Sequence, residues 1–547
     1  MNMQSNKLTT LLEKHENAML SLFWYGLAAL IVIGFGCVNL YYPFGFDQSV
    51  IMLGAESLAK GGTLYVDYWD NKQPGIYYLY HLGGELFGYS EFGVHLIELI
   101  WLMVFALVMI KTLQPFLHYS WVSALAPVAT IGVYYATAGI QQLTQLEMLV
   151  GFPIYVSAWC AIKAIQNPDR STRFCIAGGL AAGLAMLFKL VLAPLLACFW
   201  LVATLYLSRR GRSWMGSCLR LGPMVIVGAS LPLCIAVFYF WQRGALGEYL
   251  WTSFVYPTEV FNSAPPASKS RWVSAAAFYL LNFAPWVIFT AIACYRWVRS
   301  PSSEMIAMLV SWLLVAMALF LVQSFSWWEY HTLLFFIPTG LLAVFGLDVI
   351  LKSIGDIPNK PRLADSLASL IIILPLCASL TAPFLKKAQP LLSELWMQGY
   401  GVNRYHWAVD RKYHDMDESV SFLFGEEALP GPIYSFGYAG LYSMTNRDSP
   451  HPIPGSSWEF YLPEQNRDVL RTLEEKKVPY IFVDAFSYKI HFMNPDISGF
   501  LSEYYDLLKK DAAGAWYARK TEDTEPMISR EPSLRSNSTN DLRSRRD

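Results

Sequence analysis

The chain has 547 residues, of which 54% are hydrophobic and only 15% charged, with a formal net charge of −1 and a mean hydropathy of +0.32. A soluble domain carries about 25% charged residues, so this chain has too few to cover a globular surface of its size. That balance excludes a disordered protein, a basic nucleic-acid binder and an ordinary cytosolic enzyme, and it points to a membrane protein with a smaller polar part.

Apolar runs of about 18 residues or more read as spanning helices. Eleven are found in chain order: 19–40, 92–110, 119–138, 147–166, 174–188, 190–208, 219–241, 273–295, 304–323, 331–350 and 366–384. The first is long, lacks a small-residue cleavage site and leads into further spans, so it reads as a span and not as a signal peptide. The fifth is short, and with the sixth it reads as a tight hairpin around Lys189. With the N-terminus in the cytoplasm, the inner segments hold fifteen lysines and arginines, among them Arg170, Arg209, Arg210, Arg296 and Arg299, against six in the outer loops. The positive-inside rule therefore expects a multi-pass protein of the plasma or inner membrane, its N-terminus cytoplasmic and its C-terminal part outside. The eight cysteines all lie in or beside apolar runs, none after Cys377 and none in a CxxC. They read as small buried hydrophobes, not as a disulfide framework or zinc site.

The first outer loop, 41–91, is long for a connection between two spans and needs a reason. Within it, 48–59 places Ile51, Ala55 and Leu58 on one face, which suits a helix lying along the interface. Pro74 can open a second short helix carrying Tyr77, Tyr78 and Tyr80 at headgroup level. Asp47 is the first carboxylate beyond the first span. It has two readings: a proton acceptor at the membrane surface, or the N-cap of the following helix. Lys72, on the turn Asp70-Asn71-Lys72-Gln73-Pro74-Gly75, reads either as a phosphate holder or as a snorkelling lysine.

Further along, Glu147 begins the fourth span, where it either favours the helix dipole or joins Asp47 at a shared site. Lys189 stands in the apolar run Phe188-Lys189-Leu190 and therefore needs a partner or a polar cavity. The run Trp327-Trp328-Glu329-Tyr330-His331 puts a histidine at the start of another span. Topology brings Asp47, Lys72, Glu147, Lys189 and His331 to one side, a set that suits a lipid-phosphate substrate. No Walker A, GxGxxG, HExxH or GxSxG pattern stands in a fitting context, so no nucleotide cofactor and no nucleic-acid partner is expected.

After about residue 387 charges become frequent. Strand-like runs at Pro432–Phe436, Tyr480–Val483 and Ala515–Ala518 alternate with polar helical patterns near 415–427, 463–477 and 498–509, as in a small α/β domain. The tail, 521–547, has a disordered composition. The expected division is a membrane domain 1–386, an extracytoplasmic α/β domain 387–520 and the tail.

Taken in order, these segments resemble membrane glycosyltransferases of the GT-C fold. They are similar to glycosyltransferase family 39, the protein O-mannosyltransferases and the aminoarabinose transferase. The resemblance is carried by Phe46-Asp47, Gly61-Gly62-Thr63-Leu64-Tyr65, Asn71-Lys72-Gln73-Pro74-Gly75-Ile76-Tyr77-Tyr78, Gln145-Leu146-Glu147, Gly179-Leu180-Ala181-Ala182-Gly183-Leu184-Ala185 to Lys189, and Tyr330-His331 followed by Pro338. The segments Ile433–Gly437 and Pro479–Val483 resemble the strands of the family's outer domain. Gln48 stands where many relatives carry a second acid, and Gln73 where they carry a first proline.

The resemblance implies a polytopic α-helical, GT-C-like membrane protein of about eleven transmembrane helices with a C-terminal extracytoplasmic α/β domain. It implies transfer of a sugar from a polyprenyl-phosphate-linked donor to a glycolipid, cell-envelope polymer or protein. Asp47 would act as base and Glu147 would orient the acceptor. Lys72, Lys189, His331 and Arg271 would stabilise the leaving phosphate. Tyr65, Tyr77 and Tyr330 would line the substrate site. Some relatives use a divalent cation, for which Asp47 and Glu147 are the candidate ligands. A transporter, or a lipid-linked-sugar binding protein without catalysis, is the rival reading. Transporters more often show paired repeats and broken helices at the membrane midplane.

Overall fold

The computed structural model describes residues 2–263, 267–301, 303–324, 326–357, 363–399, 401–424, 430–456, 461–485 and 494–520. The tail 521–547 and residues 425–427 of an expected helical run lie outside the described residues. Among the described residues, ten helical stretches, from Ser21–Val38 to Leu367–Met397, are long and apolar enough to cross a membrane. They coincide with ten of the eleven expected runs, and the chain is an integral multi-pass membrane protein.

The long helices are α1 (Asn2–Val38), α4 (Glu91–Leu113), α5 (Gly151–Gln166), α6 (Ser171–Phe188), α7 (Ala193–Arg209), α8 (Trp214–Gln242), α9 (Lys269–Arg299), α10 (Glu304–Val322) and α11 (Leu333–Gly355). Between α1 and α4 lie two shorter helices, α2 (Phe46–Ala59) and α3 (Pro74–Phe87), the latter with Pro74 at its first position as expected.

The eleventh expected span, 119–138, is not a regular helix. It is a succession of turns: a 3₁₀ turn at Ser120–Ala124, a short α-turn ending at Pro127, a π-turn at Val128–Gly132 and an α-turn at Val133–Thr137. Pro127, which has no N–H, sits where the ladder changes pitch. Every residue from 121 to 136 is buried, so its apolar character faces protein instead of lipid. It still runs the length of the bundle. At one end the His118 and Tyr119 amides donate to Asp348 near the C-terminus of α11, and at the other Gln142 donates to Glu329 just before α11.

The interfacial reading of the first loop is corrected. Ile51 and Ala55 of α2, and Tyr77 and Tyr80 of α3, are fully buried, and of the three tyrosines only Tyr78 is exposed. α3 packs against α2, α4 and α6, and α2 packs against a short helix of the C-terminal part, Gly440–Thr445. That part holds a four-stranded sheet of order β1-β2-β4-β3, with β1 (Ile433–Phe436) parallel to β2 (Tyr480–Asp484), and β4 (Gly514–Arg519) antiparallel to both β2 and β3 (Tyr505–Lys510). Three strands match the expected ones. The helical pattern expected at 498–509 ends at Tyr504, and β3 takes its second half. Helices at Arg411–Val420 and Pro463–Glu475 flank the sheet. The unit rests on the first loop: the Trp69 amide donates to Pro452 O at 2.9 Å, and the Trp69 ring meets Tyr461 edge-on.

Candidate active site

Asp47 is the second residue of α2, and Gly45, not Asp47, occupies the cap position, so the N-cap reading is corrected. The carboxylate still gains from the positive end of the helix dipole. It is free to point at its neighbours. Lys72 Nζ lies 3.4 Å from Asp47 Oδ1 and 3.2 Å from Asp70 Oδ2. Gln145 Nε2 reaches Asp47 Oδ2 at 3.5 Å. Burial alone would pull the Lys72 ammonium down, but the Asp47 and then the Asp70 carboxylates outweigh it and hold the group above its ordinary value.

The turn that presents Lys72 is built by tyrosines. Tyr65 adopts a left-handed backbone, φ 72°, and its hydroxyl donates to Lys72 O at 2.9 Å. The Tyr77 hydroxyl donates to Asp70 Oδ2 at 2.6 Å. The Tyr68 hydroxyl donates to Val50 O, tying the turn to α2. Tyr65 and Tyr77, expected to line the substrate site, are thus buried behind the lysine and use their hydroxyls to hold its loop. Burial, and then the carboxylate of Asp70, push the Tyr77 phenol well up, so it remains a donor.

Glu147 sits in the turn Leu146–Leu149, wholly buried. Lys189, the residue that ends α6, donates to Glu147 Oε1 at 2.6 Å, and His331 Nε2 stands 3.9 Å from the same oxygen. His331 lies in the 3₁₀ turn Glu329–Thr332 that opens α11. The start of α3 packs closely on the end of α6: a Cβ on Gly75 would stand 2.7 Å from Leu187 O. Only glycine admits that approach, which brings the Lys72 turn beside Lys189. Tyr330, the third expected lining residue, directs its hydroxyl at Asp47 and is only partly buried.

The two ion groups therefore form one site. Asp47, Lys72 and Asp70 make one half and Glu147, Lys189 and His331 the other; Gln145, two residues before Glu147, reaches Asp47. Arg271 is not drawn into these contacts. It stacks on Trp328 at 4.0 Å, three residues before His331. Glu147 Oε2, His331 Nδ1 and Gln145 Oε1 are buried and have no hydrogen-bond partner among the described residues, which marks this as a place prepared for a further polar group.

Asp47 and Glu147 were the expected cation ligands. Each carboxylate already faces a lysine, and no three His, Cys, Asp or Glu side chains among the described residues are grouped to hold a metal ion. The residues as placed do not fit a metal site.

Sequence reasoning missed Asp70 and the buried network that sets the loop 138–145. Glu98 of α4 accepts from the Tyr134 hydroxyl, from the Thr144 amide at 3.1 Å and from Thr144 Oγ1 at 3.0 Å, and Thr144 Oγ1 also meets His95 Nδ1 at 2.7 Å. Thr144 is thereby held at φ 52°, a conformation costly for a β-branched residue. The next residue is Gln145. Gln48 donates to Ile140 O and Leu143 O of the same loop. The signal for Asp70 was an acid two residues from Lys72. Glu98 carried one as well, being an acid inside an apolar helix.

The fold is shared with a known class. The crystal structure of ArnT from Cupriavidus metallidurans bound to undecaprenyl phosphate superposes with a TM-score of 0.58 at 15% identity, over 92% of this chain and 99% of that one. The same protein in the apo state gives 0.57 at 14% identity, over 91% and 97%. The archaeal oligosaccharyltransferase AglB from Archaeoglobus fulgidus gives 0.48 at 13% identity, over 94% and 75%. No protein-family model and no curated protein matches the chain. The architecture is the GT-C fold of membrane glycosyltransferases, as the order of the sequence motifs implied.

Proposed function

We propose that the chain is an integral membrane glycosyltransferase that moves a sugar from a polyprenyl-phosphate-linked donor to an extracytoplasmic glycolipid, cell-envelope polymer or protein. The observation that carries this reading is the meeting of Asp47, Lys72, Glu147, Lys189 and His331, from five separate segments, at one end of an apolar helical bundle. The GT-C architecture, and the undecaprenyl phosphate in a structure of that architecture, support it.

In the reaction, the acceptor hydroxyl or amine attacks the anomeric carbon. The bond from that carbon to the phosphate oxygen breaks, its electron pair stays on the phosphate, and the configuration inverts. Asp47 takes the acceptor proton; Lys72 meets its Oδ1, Gln145 reaches its Oδ2 at 3.5 Å and the Tyr330 hydroxyl also points at the carboxylate. The departing phosphate already carries charge, so it needs electrostatic stabilisation more than protonation. Lys189 supplies that, each charge-assisted hydrogen bond contributing roughly 1.5–3 kcal/mol. His331 stands beside it, and Arg271 stacks on Trp328, three residues before His331. Glu147 holds Lys189 and orients the acceptor. Lys72 acts as a positioning residue between Asp47 and Asp70.

The site faces the outside in this reading, with the N-terminus cytoplasmic. The basic ends of α7 and α9, at Arg209 and Arg299, then face the cytoplasm, as the positive-inside rule requires. Purified protein offered a panel of polyprenyl-phosphate sugars and envelope extracts tests the proposal. Release of polyprenyl phosphate that depends on the acceptor supports it. Donor binding without release, at every acceptor tried, overturns it.

A further inference from the structure

A second polar cavity lies at the other end of α6. It has a volume of about 260 Å³ and is bounded by Ser171, Arg212, Ser213, Gly216, Ser217 and Arg220, with Pro168 and apolar side chains of α5, α7 and α8 behind them. Ser171 begins the helix whose far end holds Lys189, and 18 residues of helix separate the ends by about 27 Å. The cavity is therefore on the face of the bundle opposite the candidate active site.

Its chemistry is one-sided. It is lined by two guanidinium groups and no carboxylate. The carboxylate of Glu304 close by is taken up by Arg210. Arg220 Nη2 donates to Pro168 O at 2.8 Å, and Arg212 and Arg220 are both exposed at the rim. The Arg212 side chain has no partner among the described residues. Ser171 and Ser217 are 3% and 5% exposed, yet neither hydroxyl makes a hydrogen bond there. Ser213 caps α8 by accepting from the Gly216 amide, which leaves the Trp214 and Met215 amides at the start of a 29-residue helix. Ser171 and Ser217 both line the cavity, where their hydroxyls can meet a bound group.

We infer that this cavity binds the phosphate group of an anionic lipid headgroup. Planar guanidiniums pair with phosphate oxygens in a bidentate way, and the serine hydroxyls and α8 amides satisfy the remaining ones. Its level fits a headgroup: Trp214, at the cavity edge, is 45% exposed, as interfacial tryptophans are. A free phosphate anion would use the same groups. The site is independent of the sugar-transfer reading, since it shares no residue with the candidate active site.

The test uses the full chain in detergent and in nanodiscs, with phosphatidylglycerol, phosphatidylcholine and inorganic phosphate as probes. Native mass spectrometry counts retained lipid, and thermal unfolding reports phosphate. Wild type should retain phosphatidylglycerol over phosphatidylcholine, and Arg212→Gln/Arg220→Gln should hold it at least about tenfold more weakly. Ser217→Ala, which keeps both arginines and the helix, should weaken it about threefold to tenfold. If inorganic phosphate alone stabilises wild type and not the double variant, the anion site stands and its occupant is soluble phosphate. Equal lipid retention and equal phosphate shifts in wild type and both variants overturn the inference.

Discussion

Lys189 Nζ stands 2.6 Å from Glu147 Oε1, joining the end of α6 to the turn before α5 across 42 residues of sequence. The acid is wholly buried and the lysine nearly so, with 17% of its side chain exposed. Removing one member of such a pair leaves an uncompensated charge, which costs about 3–5 kcal/mol, whereas removing both costs much less. Lys189→Met should therefore lower the thermal midpoint sharply, and Lys189→Met/Glu147→Gln should recover more than half of that loss. Both variants should lack transfer. A double variant less stable than the single one would show that the pair is not coupled as described.

Lys72 lies between two carboxylates and is held above its ordinary value of 10.5. A raised ammonium contributes its full stabilisation below its unfolded value and loses it only as pH rises through the folded one. Lys72→Met should cost roughly 2–4 kcal/mol, less than a fully buried pair because the groups are partly exposed. The gap in thermal midpoint between wild type and variant should stay constant from pH 6 to about pH 9. A gap that closes within that range would mean the lysine loses its charge inside it.

Tyr77 and Asp70 test the scaffold behind the lysine. Tyr77→Phe removes the 2.6 Å hydrogen bond to Asp70 and leaves that carboxylate with Lys72 alone. A loss of about 1.5–3 kcal/mol is expected for a bond to a charged group. Transfer should fall moderately, through kcat more than KM, because Tyr77 is buried and touches no substrate in this account.

Glu98→Gln should reach the active site from a distance. It replaces one acceptor oxygen, where the Tyr134 hydroxyl and the Thr144 amide and hydroxyl all point at Glu98, with an NH₂ group. Stability should fall by about 1–3 kcal/mol. Loop 138–145 should shift, and transfer should drop about tenfold or more. Unchanged transfer would show that the loop does not depend on this network.

The spans and the outer sheet could be read from the chain because both are written in hydropathy over short windows. Ten of eleven runs are helices long and apolar enough to span, and the exception is 119–138. Burial inside protein and burial in lipid look alike in composition, so the buried run could not be told from a lipid-facing one. Asp47, Lys72, Glu147, Lys189 and His331 could be singled out because a charge beside an apolar run needs a partner. Their pairing could not, since Lys72 to Asp70 and Lys189 to Glu147 depend on close packing such as that at Gly75. The burial of Tyr65 and Tyr77 against the Lys72 loop could not be read either: aromatics suit both a membrane surface and a buried scaffold, and only packing decides between them.

Mass spectrometry of envelope glycolipids, polymers and glycoproteins from three strains tests the central claim most directly: wild type, a deletion, and the deletion complemented with Asp47→Asn at equal expression. The account predicts that one species loses a sugar-sized mass in the deletion and that the variant, though folded, fails to restore it. Full restoration by Asp47→Asn would contradict it, because the proton would then have to leave the acceptor by another group.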